Sequence, residues 1–406
     1  MRRRSRVLLA VVAAAAALLV VVVSASVGDG EAPGDAVDDA NPGAAGPAEA
    51  AGAGVREGAS AGVACRKVPS PWDSAGAPAH GDGSRVVFAP ERELPGGWYL
   101  RAPHILDWST GRVRVIDDLS DLPALAGSGG FVTDLWLEGR RLAFAAAYNP
   151  SRTRVAARLQ VLDLETGEKR TISEVTGELP GGATMDGVTL RYPWLAWEES
   201  PPREARALNL ETGERPDLRA LESTSLDLSG TTGVATGRRL DEVDLVTGAT
   251  AGIRALSAGG DGWGGVITPG WIAWLDQRSH PECGWFMPCD TEIWGFDRRT
   301  RTEARLVGSP GMHGGELDGE GEWLAYTDQR DDPDPHRDSD RSQNVYALHL
   351  PTMTEIRVED WPGYQAWVRV YRGVGEWRVL FAEERSYVPT ILDLWDCSLP
   401  PLPRGG

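Results

Sequence analysis

One phrase recurs along this chain, and a recurring phrase restricts a fold more than composition does. Residues 159–173, "LQVLDLETGEKRTIS", hold an alternating run that ends in Asp-Leu-Glu-Thr-Gly, followed by a second run. Locally this is a hairpin: Asp163 can accept backbone N–H groups at the turn, and Gly167 can take the φ > 0 position that closes it. The turn returns at Asp107, Asn209 and Asp244, and in degenerate form at Asp297, His349 and Asp393. Successive copies lie 56, 46, 35, 53, 52 and 44 residues apart. A second phrase precedes each copy: "SRVVFAP", "RRLAFAA", "PWLAWEE", "TTGVATG", "GWIAWLD", "EWLAYTD" and "WRVLFAE". Its aromatic slot holds Phe88, Phe144, Trp197, Thr236, Trp274, Tyr326 and Phe381. Two phrases in register, seven times over, are a repeat, and short strands repeating at this period read as propeller blades. The expectation is an all-β propeller of seven blades, with six or eight as the neighbouring alternatives.

The 49 Gly and 28 Pro supply many turns, and 16 Trp supply bulk for a large core. Helical heptads are absent. The net charge of −18 argues against nucleic acid and anionic membrane surfaces as partners. The start of the chain reads as an export signal. "MRRRSR" is a basic segment, the apolar run from Val7 to Val23 follows, and Ser24 and Ala25 offer small residues for cleavage. The run is close to spanning length, so residues 1–27 are either a cleaved signal peptide or an uncleaved anchor, the one membrane contact expected. Both place the protein outside the cytoplasm: periplasmic, at the cell surface or secreted. Residues 28–62, rich in Ala, Gly, Pro and acid with no aromatic, read as a disordered linker. The propeller is expected over 63–398, with 399–406 as a tail.

Within a blade, the aromatic-slot phrase is a central strand and the Asp-x-x-Thr-Gly phrase ends the next strand out. The turns then lie on one face, and the variable loops between the phrases lie on the other. The longest are "SHPECGWFMPCD" and "DDPDPHRDSDRSQ", in blades five and six. Innermost strands are expected at 131–139, 182–192, 223–230, 264–269 and 364–373, with none convincing in blade one.

The phrases "WIAWLDQR…TEIWGFDRRTRTEARLV" and "WLAYTDQR…NVYALHLPTMTEIRV" resemble the blades of TolB-like propellers, a family of exported bacterial repeat proteins. The motif is structural, so the resemblance implies architecture and not activity. Quinoprotein propellers share the turn but place a Trp a few residues after its Gly. Here those positions hold Arg and aliphatic residues.

Four features bear on chemistry. Glu199, Asp276, Asp328 and Glu383 stand two residues after the aromatic slot, and Arg92, Arg278, Arg330 and Arg385 stand four after it. Positions two apart share a strand face, so these read as an ion-pair ladder from blade to blade, or as a charged rim at the channel mouth. The acid run from Asp328 to Asp340, with Asp331 and Asp332, reads as a solvated loop with a weak Ca²⁺ site as the alternative. It lacks the Asp-x-Asp-x-Asp-Gly order of an EF-type loop. The six His show no zinc spacing, and no G-x-S-x-G nucleophile motif occurs. No metal, cofactor or catalytic residue is therefore assigned.

The four cysteines are read through ring closure. Cys397 stands where the other turns have Gly, and "SLPPLPRGG" cannot form an outer strand. The missing strand must come from elsewhere, and "GVACRKV" (62–68) is the unassigned candidate. Of three connectivities, this selects Cys65–Cys397, clasping the ring, with Cys283–Cys289 closing a small loop. That loop carries Trp285 and Phe286, either covered by a neighbour or presented as a rigid anchor. The functional expectation is a non-catalytic scaffold that binds a protein or glycan on the long-loop face. Its candidate residues are Trp285, Phe286, Arg278, Arg330, Asp331 and Asp332. A glycan-active hydrolase or lyase using channel-mouth carboxylates and a purely structural envelope component are the two alternatives.

Overall fold

A computed structural model describes residues 55–402 apart from short stretches, of which 279–290 and 331–342 are the longest. Strands arranged as seven sheets account for the fold, with no α-helix among the described residues. Blade 1 begins at Ala79–Asp82, blade 2 at Gly130–Glu138, blade 3 at Thr184–Arg191 and blade 4 at Ser223–Ser229. Blades 5, 6 and 7 begin at Gly262–Ile267, Leu317–Glu320 and Tyr364–Arg372. Each of these innermost strands contacts the next, and the seventh returns to the first, so the sheets close into a ring. Seven clusters of buried apolar side chains lie one between each pair of neighbouring blades, the 7–1 pair included. The blade count therefore rests on packing as well as on pairing.

The two recurring phrases sit where their chemistry puts them. All seven slot residues are buried at 3% exposure or less, in the second strand of their blades. At the turn, the Asp163 carboxylate accepts from the amides of Glu165 and Thr166, and Gly167 N–H donates to Asp163 O. Asn209, Asp244 and Asp297 cap their turns in the same way. The seventh copy, Asp393–Cys397, lies inside the strand Thr390–Ser398 with no turn. In the other six the fifth residue is left-handed: φ is +67° at Gly111, +74° at Gly167, +75° at Gly213 and +70° at Gly248. In blades 5 and 6 the same conformation falls on Arg301 (+59°) and Met353 (+52°), which Cβ sterics disfavour. Arg301 gains an ion pair with Glu242 at 2.9 Å; Met353 is half exposed.

Ring closure follows the expected route. Ala64–Lys67 pairs with Thr390–Ser398 as the outer strand of blade 7, with Cys65 opposite Cys397 and the two joined in a disulfide. Cα atoms lie 4.0 Å apart and both residues are fully buried. A row of polar contacts crosses the same blade: Tyr371 Oη (3.0 Å) and Arg378 Nε (2.7 Å) donate to one oxygen of buried Asp396, and Arg66 reaches the other at 3.2 Å. Cys283 and Cys289 lie outside the described residues.

Three features differ from the sequence reading. Val55–Glu57 is already a strand on Ala64–Lys67, within the segment read as linker. Blade 1 does have an inner strand, "AHGD", in which His80 and Gly81 stand where alternating aliphatics were sought. The loop after Phe88 forms a hairpin, Glu91–Leu94 with Trp98–Arg101, that joins blade 2 beside Phe131.

Cys65 and Cys397 close a loop of 332 residues, for which chain entropy gives roughly 5 kcal/mol. Replacing both by Ser should lower the melting temperature by several degrees and raise amide exchange first in residues 55–68. Uniform exchange across all blades would contradict the clasp. Met353→Gly should stabilise by up to about 1 kcal/mol, because the strain exceeds the entropy cost of glycine. Arg301→Gly should gain less, since it also loses Glu242.

Candidate functional site

The innermost strands carry an unusual number of ionisable groups, and these define the central bore. Most of the carboxylates reach across to backbone amides of the next blade. Val188 N–H donates to Asp134 (2.8 Å), Tyr192 N–H to Glu138 (2.9 Å) and Ile267 N–H to Asp227 (2.8 Å). Blade 6 holds blade 7 twice, through Val368 N–H to Glu316 (3.0 Å) and Val370 N–H to Asp318 (2.7 Å). From blade 1, Asp82 accepts the amide of Gly139, and His80 Nδ1 accepts that of Leu137. These amides are free because an innermost strand has a pairing partner on one side only, so its bore-facing N–H groups belong to no ladder. Val188 and Val368 also lie in β-bulges. In blades 3, 5 and 7 the bulge comprises Gly187–Val188, Gly264–Gly265 and Trp367–Val368, each pair opposite the aromatic slot.

Two arginines stand among these acids. Arg191 pairs with Glu320 at 3.3 Å and lies over the Trp136 ring at 4.7 Å. Arg369 interacts with Asp318, Asp134, Glu316 and Asp227, carboxylates of blades 6, 2 and 4, which puts its charge at the centre of the ring. His80 is buried, stacks on Trp136 with centroids 4.0 Å apart, and is held neutral: burial and then the charges of Arg191 and Arg369 push its pKa well down. The acids move the other way. Burial raises Asp134 and Asp227 to about 6 and Glu320 to about 7, although Arg369 and Arg191 oppose the rise. The bore is thus a charged core packed with side chains at the level of His80, Trp136 and Arg369.

The arginines singled out from the sequence occupy other ground. Arg278 donates from Nε to Asp276 at 2.7 Å, reaches Glu303 in the outer strand, and covers the Trp294 ring at 3.7 Å. Arg330 repeats this with Asp328, Glu355 (2.8 Å) and the Tyr346 ring (4.4 Å). Asp276 and Asp328 are fully buried, and Asp276 also accepts from Trp274 Nε1 at 2.9 Å. The ladder read as running between blades therefore runs within each blade, from second strand to outermost, because the fork reaches outward along its own sheet. Glu199 and Glu383 likewise accept indole N–H groups, from Trp197 (3.3 Å) and Trp395 (2.8 Å). Trp285, Phe286, Asp331 and Asp332 lie outside the described residues, as does most of the acid run considered for Ca²⁺. No group of three metal-ligating side chains occurs among the described residues.

One surface cleft of about 300 Å³ opens between blades 1 and 2, beside Arg114, Asp117, Leu162 and Lys169. Lys169 is already bound to Asp117 (2.7 Å) and Asp121 (2.8 Å). The inner-strand acids were missed in the sequence, yet they left a signal. Asp82, Glu138 and Glu320 each directly precede a glycine that turns the chain into the second strand, and Asp134 and Asp227 interrupt apolar runs.

No protein-family model matches the chain, and no curated protein matches it. Solved structures do. The β-propeller domain of the Trilobed protease from Pyrococcus furiosus aligns with TM-score 0.53 and 12% identity, over 80% of this chain and 95% of that one. An oligogalacturonate lyase from Vibrio parahaemolyticus aligns at 0.51 and 13%, over 86% and 96%. An acylaminoacyl peptidase from Pyrococcus horikoshii aligns at 0.53 and 12%, over 80% and 52%. At such identity the likeness is one of fold, the β-propeller. The Pyrococcus furiosus domain is described as having an open velcro topology, whereas Ala64–Lys67 closes the present ring.

The bore acids set a pH dependence. Asp134, Asp227 and Glu320 titrate higher in the fold than in an unfolded chain, so the folded state holds extra protons between about pH 4 and 7. Their stabilisation is complete below about pH 4 and lost as pH rises through 6 and 7. Asp107, Asp163, Asp244 and Asp297 are held low, chiefly by hydrogen bonds at their turns. Their contribution is present above about pH 4 and lost below it. The melting temperature should peak near pH 5 and fall towards pH 8, and Asp227→Asn should flatten that fall. A midpoint climbing steadily from pH 5 to 8 would contradict the assignment.

Proposed function

We propose that this propeller is a non-catalytic binding scaffold of the cell envelope, recognising a protein or glycan on the face that carries the long loops. The observation that carries the reading is the use of the bore carboxylates. Asp134, Glu138, Asp227, Glu316 and Asp318 each hold an amide of the following blade, so ring assembly accounts for them without a reaction. The opposite face consists of short capped turns, which leaves recognition to the side where chain length varies. Trp285 and Phe286, with Arg278, Arg330, Asp331 and Asp332 around them, are the proposed contacts. Export fits the Cys65–Cys397 bridge, because such bonds persist in oxidising compartments. Kinship with TolB-like propellers belongs to this proposal and rests on the blade phrases.

A second reading has one observation in its favour. Carboxyl groups near 6 and 7, such as Asp227 and Glu320, are poised to give or take protons at neutral pH, as a glycan-active enzyme requires. The two readings part in solution. Under the scaffold reading, neutral and acidic polysaccharides incubated with the full chain yield no new reducing ends or unsaturated products. Trp285→Ala/Phe286→Ala should remove partner binding and leave the melting temperature unchanged. Turnover that disappears in Asp227→Asn or Glu320→Gln would replace the scaffold reading with the enzymatic one.

A further inference from the structure

The bulge in blade 7 carries a side chain its counterparts lack. At the first bulge position blades 3 and 5 have glycine, with φ +59° at Gly187 and +64° at Gly264, and blade 7 has Trp367 at +56°. A bulky residue in the left-handed region is a genuine outlier, and such outliers gather at functional sites. Packing does not account for it: Trp367 is 37% exposed, in an inner strand whose flanking residues Ala366 and Val368 are buried. The equivalent positions in blades 3 and 5 are uncrowded: a Cβ on Gly187 would meet nothing within 4 Å, and one on Gly264 only the Leu275 side chain at 3.6 Å. The strained backbone is held from blade 6, where Glu316 interacts with the amides of both Trp367 and Val368. Tyr364, 38% exposed, stands three residues earlier on the same strand. That strand enters the bore from the long-loop face, so Tyr364 stands at that mouth and Trp367 three residues further in, level with Glu316 and above Asp318.

We infer that Trp367 is a ligand-stacking residue, and that the ligand laid on it is a neutral oligosaccharide. This deepens the scaffold reading, on which it rests, by naming the ligand class. A hexose presents an apolar C–H face that suits an exposed indole, and hydroxyl donors that suit carboxylate acceptors. The acids below outnumber the two arginines, so an anionic sugar is repelled while a neutral one is not.

The test titrates the full chain calorimetrically with cellohexaose, maltohexaose and chitohexaose, and with hexagalacturonate as the anionic comparison. At least one neutral hexasaccharide should bind saturably and hexagalacturonate should not. Trp367→Gly should weaken that binding tenfold or more while the melting temperature holds or rises, and Trp367→Phe should retain most of it. The inference is overturned if no neutral probe binds, if hexagalacturonate binds as well, if binding survives Trp367→Gly, or if that variant melts markedly lower. Binding that survives Trp367→Gly but is lost in Trp285→Ala/Phe286→Ala would remove this inference and leave the scaffold reading standing.

Discussion

At four of its seven blade junctions the ring is registered by a carboxylate in one blade accepting a backbone amide from the next. A β-sheet satisfies its own hydrogen bonds, so two sheets packed face to face have only apolar contact to set their register. In this protein the innermost strand of each sheet leaves amides unpaired on its bore edge, and acids of the preceding blade take them: Asp134 for Val188, Asp227 for Ile267, Asp318 for Val370. A charge-assisted bond is short and directional, so it fixes how far each blade slides and tilts against its neighbour, which the apolar interfaces alone do not. Burying that many acids is costly, and burial accordingly raises the titration points of Asp134, Asp227 and Glu320. Arg369 and Arg191 offset part of it by setting positive charge among carboxylates of several blades at once.

A ring made this way must also be shut, and blade 7 uses different physics for the purpose. Between blades 7 and 1 the inner strands meet through a backbone hydrogen bond, Gly83 N–H donating to Arg372 O at 2.9 Å, and through the Tyr371 ring packed on Gly81. Among the described residues no carboxylate takes an amide across this joint. The stronger restraint lies within blade 7, where its outer strand is borrowed from the chain ahead of blade 1. There Tyr371, Arg378, Asp396 and Arg66 form a row across the four strands, and the Cys65–Cys397 bridge lies in the next register. A polar row and a covalent bond in a closing blade are coherent: opening at this place exposes two sheet edges together, so the penalty for local opening is highest where the topology is weakest.

The fold was legible because its signals are local. A capped left-handed turn needs Asp at one place and Gly four residues on, and a central strand needs a buried aromatic, so both leave fixed letters at fixed spacing. Ring closure was legible from what the last blade lacked. The inner strands were less so. "AHGD" and "LDGE" are four residues long and carry acid or histidine where an amphipathic strand would carry aliphatics. Their environment is set by three or more blades, which no single stretch of sequence encodes. The Asp276–Arg278 and Asp328–Arg330 pairs were found, but their direction was misjudged for the same reason: spacing places two residues on one face and says nothing of which neighbouring sheet the fork reaches. Tertiary charge placement is the part that sequence periodicity does not carry.

The same division explains why the two ends of the bore differ. At the turn end, Asp82, Glu138 and Glu320 stand at the rim and lead directly into tight glycine turns, so the chain there is short and held. At the other end the strands enter from loops of unequal length, and the bulges lie near mid-strand, opposite the aromatic slot. A bulge places one side chain off the sheet's alternation. It is therefore a position at which a residue can be presented to solvent without disturbing any blade interface. Blades 3 and 5 leave that position to glycine and so relieve the backbone. Blade 7 fills it with Trp367 and accepts the strain, and its neighbour Glu316 fastens the amide on either side of that choice. The carboxylate that aligns blade 6 with blade 7 thus also holds a bulge that offers an aromatic side chain to solvent.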